Sequence, residues 1–162
     1  MKKRRFFALF LVLGLLVSLL SVPASAFEEI DVDARAALLV EQETGEVLYE
    51  KNAHEKSYPA SITKLTVALL VFEAIDAGQL SLDQPITAHE SAFEGLSIYG
   101  STAGIKVGEV LTVEQLLQCM LIVSANEACN ILAEAVCGEG NISQFVQRMN
   151  ERAAALGCEN TH

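Results

Sequence analysis

The apolar run over residues 65–75 does most to limit what this chain can become. Leu65, Val67, Ala68, Leu69, Val71, Phe72 and Ile75 spread apolar side chains round much of the circumference of a helix. Such a helix has to be covered on nearly every side. The sequence therefore predicts a central, buried helix over about 59–76, opened by Pro59-Ala60-Ser61 and stopped by Gly78. Residues 35–42 and 46–51 read as two strands, joined through Glu43-Thr44-Gly45, where glycine permits the positive φ of a tight turn. From 80 to 109 Ser, Gly, Thr and Pro recur, and the stretch reads as loops with short elements. A helix is expected from Leu111-Thr112 to Val123, with Thr112 and Gln115 spaced as a capping box. Another follows from about Glu127 to Val136, ended by Gly138. The last starts at Asn141 or Ser143 and stops at Gly157. The expectation is a hairpin followed by four helices. Two strands alone are marginal, so the elements predict an α/β (α+β) domain whose later sheet strands are missing.

The first 26 residues separate from the rest. Lys2, Lys3, Arg4 and Arg5 precede an apolar stretch from Phe6 to about Leu20, and Ala24-Ser25-Ala26 supplies the small-residue pattern of a cleavage site. This is the layout of a secretory signal peptide over 1–26, and it leaves 27–162 as the mature chain. The apolar stretch is shorter than the roughly 18 residues a spanning helix needs. The expected destination is outside the cytoplasm, in the cell envelope or beyond. The formal charge of the whole chain is −10, and four of its 11 basic groups stand in the leader, so the mature part is more acidic still. A polyanion of this kind is repelled by nucleic acid and anionic lipid, which excludes both as expected partners.

Export permits disulfides, and Cys119, Cys129, Cys137 and Cys158 allow three pairings. None forms a C-x-x-C pair, and each sits among apolar neighbours in text that reads as helix. The reading favoured here is of buried free thiols acting as small hydrophobes. His54, His89 and His162 show no metal-ligand spacing, so neither a metal nor another cofactor is expected.

Ser61 and Lys64 stand three apart, which places them on one face of a helix. A serine hydroxyl is a poor nucleophile until a base takes its proton. Lysine is such a base only where its ammonium is disfavoured, as burial or the positive end of a helix dipole can do. The backbone N–H of Ser61, at the same helix start, can donate to an oxyanion. A plain alternative makes Ser61 a helix N-cap and Lys64 a solvated side chain. Ser124-Ala125-Asn126 falls between two expected helices, where a hydroxyl and an amide can reach into a cleft. Ser124 is a candidate proton relay and Asn126 a candidate substrate contact; the plain alternative is that either caps the next helix.

Taken together, S-x-x-K followed by S-x-N is a pattern of penicillin-binding proteins and class A β-lactamases. The wider text is more specific. The stretch from Ala37 to Asn52, then Tyr58-Pro-Ala-Ser-Ile-Thr-Lys-Leu, resembles the start of low-molecular-mass serine-type D-alanyl-D-alanine carboxypeptidases. Gly108-Glu-Val-Leu-Thr-Val-Glu-Gln-Leu-Leu, Val123-Ser-Ala-Asn-Glu-Ala and Phe145-Val-Gln-Arg-Met-Asn continue the likeness. The resemblance implies a β-lactamase/transpeptidase-like fold and an exported serine peptidase that removes the terminal D-alanine of peptidoglycan stem peptides through an acyl-enzyme. β-Lactams would trap that ester. By position Ser61 matches the nucleophile, Lys64 its base, Ser124 the relay and Asn126 a substrate contact. The segment Ser97-Ile-Tyr-Gly-Ser-Thr matches one bordering the cleft, without an assigned role.

The family's third motif, K-T-G on a strand forming the opposite wall, is not in this sequence, and neither are the later strands or a C-terminal anchor. The expectation is an incomplete peptidase domain over 27–162 that is inactive by itself, since one lost oxyanion donor costs about 10²–10³ in rate. Two other readings compete. A class A β-lactamase needs an E-x-x-L-N context that Glu159-Asn160-Thr161-His162 does not match. A non-catalytic remnant that binds the wall or another partner is the second.

Overall fold

The computed structural model describes residues 31–162, so the signal peptide expected over 1–26 lies outside the described residues. The chain divides into two compact units, Met1–Glu55 and Lys56–His162. The described part of the first is an antiparallel hairpin of β1 (Ala37–Val40) and β2 (Val47–Lys51). Leu38 pairs with Glu50 and Leu39 with Tyr49, and the register slips between Leu39 and Val40. Glu41 closes the turn: its carboxylate accepts from the N–H groups of Glu43 and Thr44 and from the Thr44 hydroxyl. Gly45, at φ 74°, supplies the left-handed step that the sequence assigns to it. Arg35 pairs with Glu55, and Lys51 with Asp31 at 2.9 Å. Leu38, Leu39, Val40, Val47 and Leu48 all remain exposed, so both faces of the hairpin are apolar and open.

The second unit is helical, with one small ladder. A 3₁₀ turn, Ala60–Thr63, runs directly into α1 (Lys64–Asp76). Strand β3 (Pro85–Thr87) pairs antiparallel with β4 (Val110–Thr112), Ile86 opposite Leu111. Then come α2 (Val113–Ile122), α3 (Asn126–Cys137) and α4 (Ile142–Ala155). The capping box at the start of α2 forms as its spacing predicts: Gln115 N–H donates to Thr112 Oγ1 at 3.2 Å, and Thr112 N–H to Gln115 Oε1 at 2.9 Å. The arrangement is α+β, as expected. Among the described residues no helix is long and apolar enough to cross a membrane.

Two expectations need correction. The helix at the centre is α3, which packs against α1, α2 and α4, and not α1. Ala125, Ala128 and Ala133 are buried and small, so neighbouring backbones come close to α3 on several sides. Val71, Leu116, Met120, Ile131, Leu132 and Phe145 fill the space between the helices, each worth roughly 1.5–3 kcal/mol of transfer free energy. Helix α1 is instead one-sided. Val67, Ala68, Val71 and Ala74 face the core, while Leu65 is 62% exposed and Phe72 45%. Apolar periodicity records which side chains avoid water in the whole assembly, and does not say which face meets this particular core. The second correction is β4, which takes Leu111 and Thr112 from the expected start of a helix; its partner β3 is one of the short elements expected over 80–109. Three-residue strands, one opening on a proline, are too short to carry a period.

Candidate active site

The four residues singled out in the sequence meet at one place in the second unit. Ser61 lies in the 3₁₀ turn and Lys64 is the first residue of α1. Ser124 lies in the turn between α2 and α3, and Asn126 begins α3. Ser124 Oγ donates to Ser61 Oγ at 2.8 Å. Lys64 Nζ is 3.4 Å from Ser61 Oγ and 2.8 Å from Asn126 Oδ1. Ser61 is exposed, whereas Lys64, Ser124 and Asn126 are half-buried. A solvent-open hydroxyl thus stands beside a second hydroxyl and an amine.

The plain capping alternatives are not what the structure has. Neither the 3₁₀ turn, α1 nor α3 has a side-chain cap, so the hydroxyls of Ser61 and Ser124 and the amide of Asn126 are free for one another. Two non-glycine residues take left-handed backbone here: Ala60 at φ 48° and Ser124 at φ 61°. Conformations of this kind cost about 1–3 kcal/mol each and persist where the surroundings dictate them.

Residues 93–105 form the neighbouring wall. With the start of α3 they enclose a cleft of about 250 Å³, lined among others by Phe93, Leu96, Ile98, Ile105, Asn126 and Glu127. The Asn126 N–H donates to Ser101 O at 2.9 Å, and Asn130 Nδ2 donates to Ala92 O at 2.8 Å. Gly100 comes so close that a Cβ there would stand 2.5 Å from Asn126 Nδ2. Glu127 is 3% exposed, and its Oε1 accepts from Thr102 Oγ1, Ala103 N–H and Gly104 N–H at 2.7, 2.7 and 3.1 Å. Burial pushes this carboxyl up, but hydrogen bonds from the Thr102 hydroxyl and from the backbone of Glu127, Ala103 and Ile105 outweigh it and hold it below its ordinary value. Sequence reading gave Gly100 and Glu127 no role. The only local signal was an acidic residue in the first turn of a helix, which is common on solvated surfaces.

Cys119, Cys129 and Cys137 pack against the core, in keeping with their apolar neighbours, but Cys158 is exposed beyond the end of α4. Burial pushes the Cys129 thiol up to about 11, against the opposing charge of Lys64, so it is protonated and a poor nucleophile at neutral pH. Among the described residues no three His, Cys, Asp or Glu side chains are grouped to hold a metal ion. A wider depression of about 390 Å³, between α1 and α4, is lined by Glu73, Arg148, Glu151 and Arg152 and has no hydroxyl or thiol on its wall.

Comparison with known proteins places this arrangement. The profile of the D-alanyl-D-alanine carboxypeptidase family matches residues 23–162. The D-alanyl-D-alanine carboxypeptidase DacF of Bacillus subtilis is 36% identical over 153 residues, which is 90% of this chain and 38% of that protein. The crystal structure of the D-alanyl-D-alanine carboxypeptidase DacD from Francisella tularensis superimposes with a TM-score of 0.74 at 36% identity, over 83% of this chain and 32% of that one. Penicillin-binding protein D2 from Listeria monocytogenes, in its ampicillin-bound form, gives 0.67 at 31% identity, over 81% of this chain and 50% of that one. The chain therefore spans between about a third and a half of the length of these relatives.

Proposed function

The chain belongs to the D-alanyl-D-alanine carboxypeptidase family, and from that premise we propose that it supplies the nucleophilic half of an exported serine carboxypeptidase. Its substrate is the peptidoglycan stem peptide ending in D-Ala-D-Ala, and it acts in the cell envelope, on the outer face of the cytoplasmic membrane or beyond. The observation that carries the reading is the placing of Ser61 Oγ between Ser124 Oγ and Lys64 Nζ.

In this proposal Ser61 Oγ attacks the carbonyl carbon of the penultimate D-alanine while its proton passes to Lys64, acting as base. The oxygen of the tetrahedral intermediate is held by the Ser61 N–H, at a helix start whose amides have no partner within the helix. The C–N bond then breaks, and the departing amine of D-alanine takes its proton from Lys64 through the Ser124 hydroxyl. Water, deprotonated by the same base, attacks the Ser61 ester and releases the shortened peptide. Asn126 has two uses in this reading: its Oδ1 accepts from Lys64, and its amide would hydrogen-bond the peptide backbone. A β-lactam enters the same sequence at the first step and stays as the ester.

The test is acylation of the complete gene's product by a fluorescent penicillin, with release of D-alanine from a D-Ala-D-Ala peptide measured alongside. Covalent label at Ser61, lost in Ser61→Ala together with D-alanine release, is the expected result. Label that persists in Ser61→Ala sinks the proposal. Rapid turnover of the penicillin, with no D-alanine released, would favour a β-lactamase.

A further inference from the structure

The buried carboxylate of Glu127 plays no part in the proton path above, yet it is tied to that path on both sides. A carboxylate taken out of water is costly unless its oxygens find donors. Here a single oxygen collects three, from Thr102, Ala103 and Gly104. Gly104, at φ 78°, turns the loop so that its own N–H and that of Ala103 converge. Successive amides arranged in this way make a small anion-binding hollow, and it is filled by the chain's own carboxylate.

The tie is reciprocal. Helix α3 has no side-chain cap, and its first N–H, that of Asn126, is satisfied by the carbonyl of Ser101 in the same loop. The loop caps the helix through Ser101, and the helix clamps the loop through Glu127. Between those two attachments stands Asn126, whose amide lies hard against Gly100 and whose Oδ1 receives Lys64 Nζ. Loop, helix start and base form one hydrogen-bonded unit, with Asn126 at its centre.

We propose that Glu127 is a positioning residue: by clamping residues 102–104 to the start of α3 it fixes the Asn126 amide, and through that amide the place of Lys64 beside Ser61. The inference rests on the carboxypeptidase reading for its kinetic consequence, but not for its structural one. Loss of the clamp should displace Asn126 by a fraction of an ångström to an ångström, and a shift of that size costs up to about 100-fold in rate.

The experiment is a double-mutant cycle in the complete gene's product, read as the second-order rate of acylation by a fluorescent penicillin. Glu127→Ala is expected to slow acylation about 10- to 100-fold, and Glu127→Gln, which keeps an acceptor oxygen, to recover most of that loss. Added to Asn126→Ala, the Glu127→Ala change should cost nothing further, because the route it acts through is already gone. A general loss of folding would not behave in this way. The same factor lost in both backgrounds overturns the proposal. If Glu127→Ala does not fold, Thr102→Ala removes one donor of the clamp and enters the same cycle with a smaller expected loss. If the unsubstituted protein is not acylated, the functional reading has failed, and amide hydrogen exchange decides the clamp. Ala103, Gly104 and Asn126 must then lose protection together when the carboxylate is removed, and continued protection of Asn126 overturns the inference.

Discussion

Gly100→Ala isolates the contact on which the site geometry turns. The φ of Gly100 is not left-handed, so the backbone there accepts any residue and the cost comes from contacts alone. The new Cβ would stand 2.5 Å from Asn126 Nδ2, 3.1 Å from Ser97 O and 3.7 Å from Asn126 Cγ, where ordinary contact begins at 3.4 Å. Ser97 O cannot give way easily, because it accepts the Gly100 N–H at 2.9 Å and closes the turn. The amide must therefore retreat by about 1 Å, since contacts shorter than van der Waals separation are not tolerated in a packed site. Moving Nδ2 by that much turns the amide and disturbs the 2.8 Å bond from Lys64 Nζ to its Oδ1. A hydrogen bond is worth about 0.5–1.5 kcal/mol, and each 1.36 kcal/mol is about tenfold in rate. The expected loss in acylation is thus about 2- to 10-fold. It is measured as the second-order rate with a fluorescent penicillin, well below the thermal midpoint, so that any overpacking cost to stability does not enter. The same substitution made in Asn126→Ala meets no amide and should carry little penalty. Unchanged acylation in Gly100→Ala, or an equal penalty in both backgrounds, would refute the reasoning.

Three further outcomes are expected. Thr112→Ala removes the acceptor of the capping box and should lower stability by about 1 kcal/mol, seen as a lower urea midpoint at constant slope; an unmoved midpoint would show that the cap contributes nothing. Because the folded pKa of Glu127 is lowered, its contribution to stability is complete above the ordinary value of 4.5 and disappears as pH falls through the folded value. Urea midpoints for the parent should fall over that acid range more steeply than those for Glu127→Gln, and parallel curves would contradict the assignment. Exposed Cys158 should react with an aromatic disulfide reagent in the native protein at mildly alkaline pH, while Cys129 should wait for unfolding; prompt native modification of Cys129 would contradict its burial and raised pKa.

What could be read in the sequence is what depends on near neighbours. Thr112 and Gln115 are three apart, and their reciprocal bonds need nothing beyond one helical turn. Ser61 and Lys64 share a face for the same reason, and Gly78, Gly138 and Gly157 follow the helices they were expected to end. The approach of Ser124 and Asn126 to that face spans more than 60 residues. It was legible only through resemblance to a family, since no spacing rule reaches that far. The Glu127 clamp had neither aid. Its donors stand 23 to 25 residues away in a stretch without periodicity, and a glutamate in a first helical turn is ordinary on a solvated surface. The identity of the central helix is not legible from hydrophobicity, because an apolar helix such as α1 need not be the most enclosed one. Helix α3 is more modest in its side chains than α1, and it is central because its alanines let other helices come near.

Residue 124 shows how local preference and chemistry divide at this site. A backbone at φ 61° is what glycine adopts at no steric cost, and by conformational preference alone glycine would be favoured between α2 and α3. Glycine would also remove the hydroxyl that donates to Ser61 Oγ at 2.8 Å. The turn therefore holds a strained residue whose hydroxyl bonds to Ser61. It is held there by Ala125 N–H donating to Cys119 O at one side and by the Ser101 carbonyl on Asn126 at the other. Ser61 has the same arrangement, since Ala60 at φ 48° immediately precedes it. Strain on both sides of a 2.8 Å hydroxyl pair is stable only if the packed helices oppose its relief. The rigid partner is the buried face of α3, with Ala128, Ile131 and Leu132 fully enclosed, which holds Ser124 and Asn126 to their places from below. The loop over 97–105 completes that support from above through Glu127, so the site depends on a core that the sequence advertises and on a clamp that it does not.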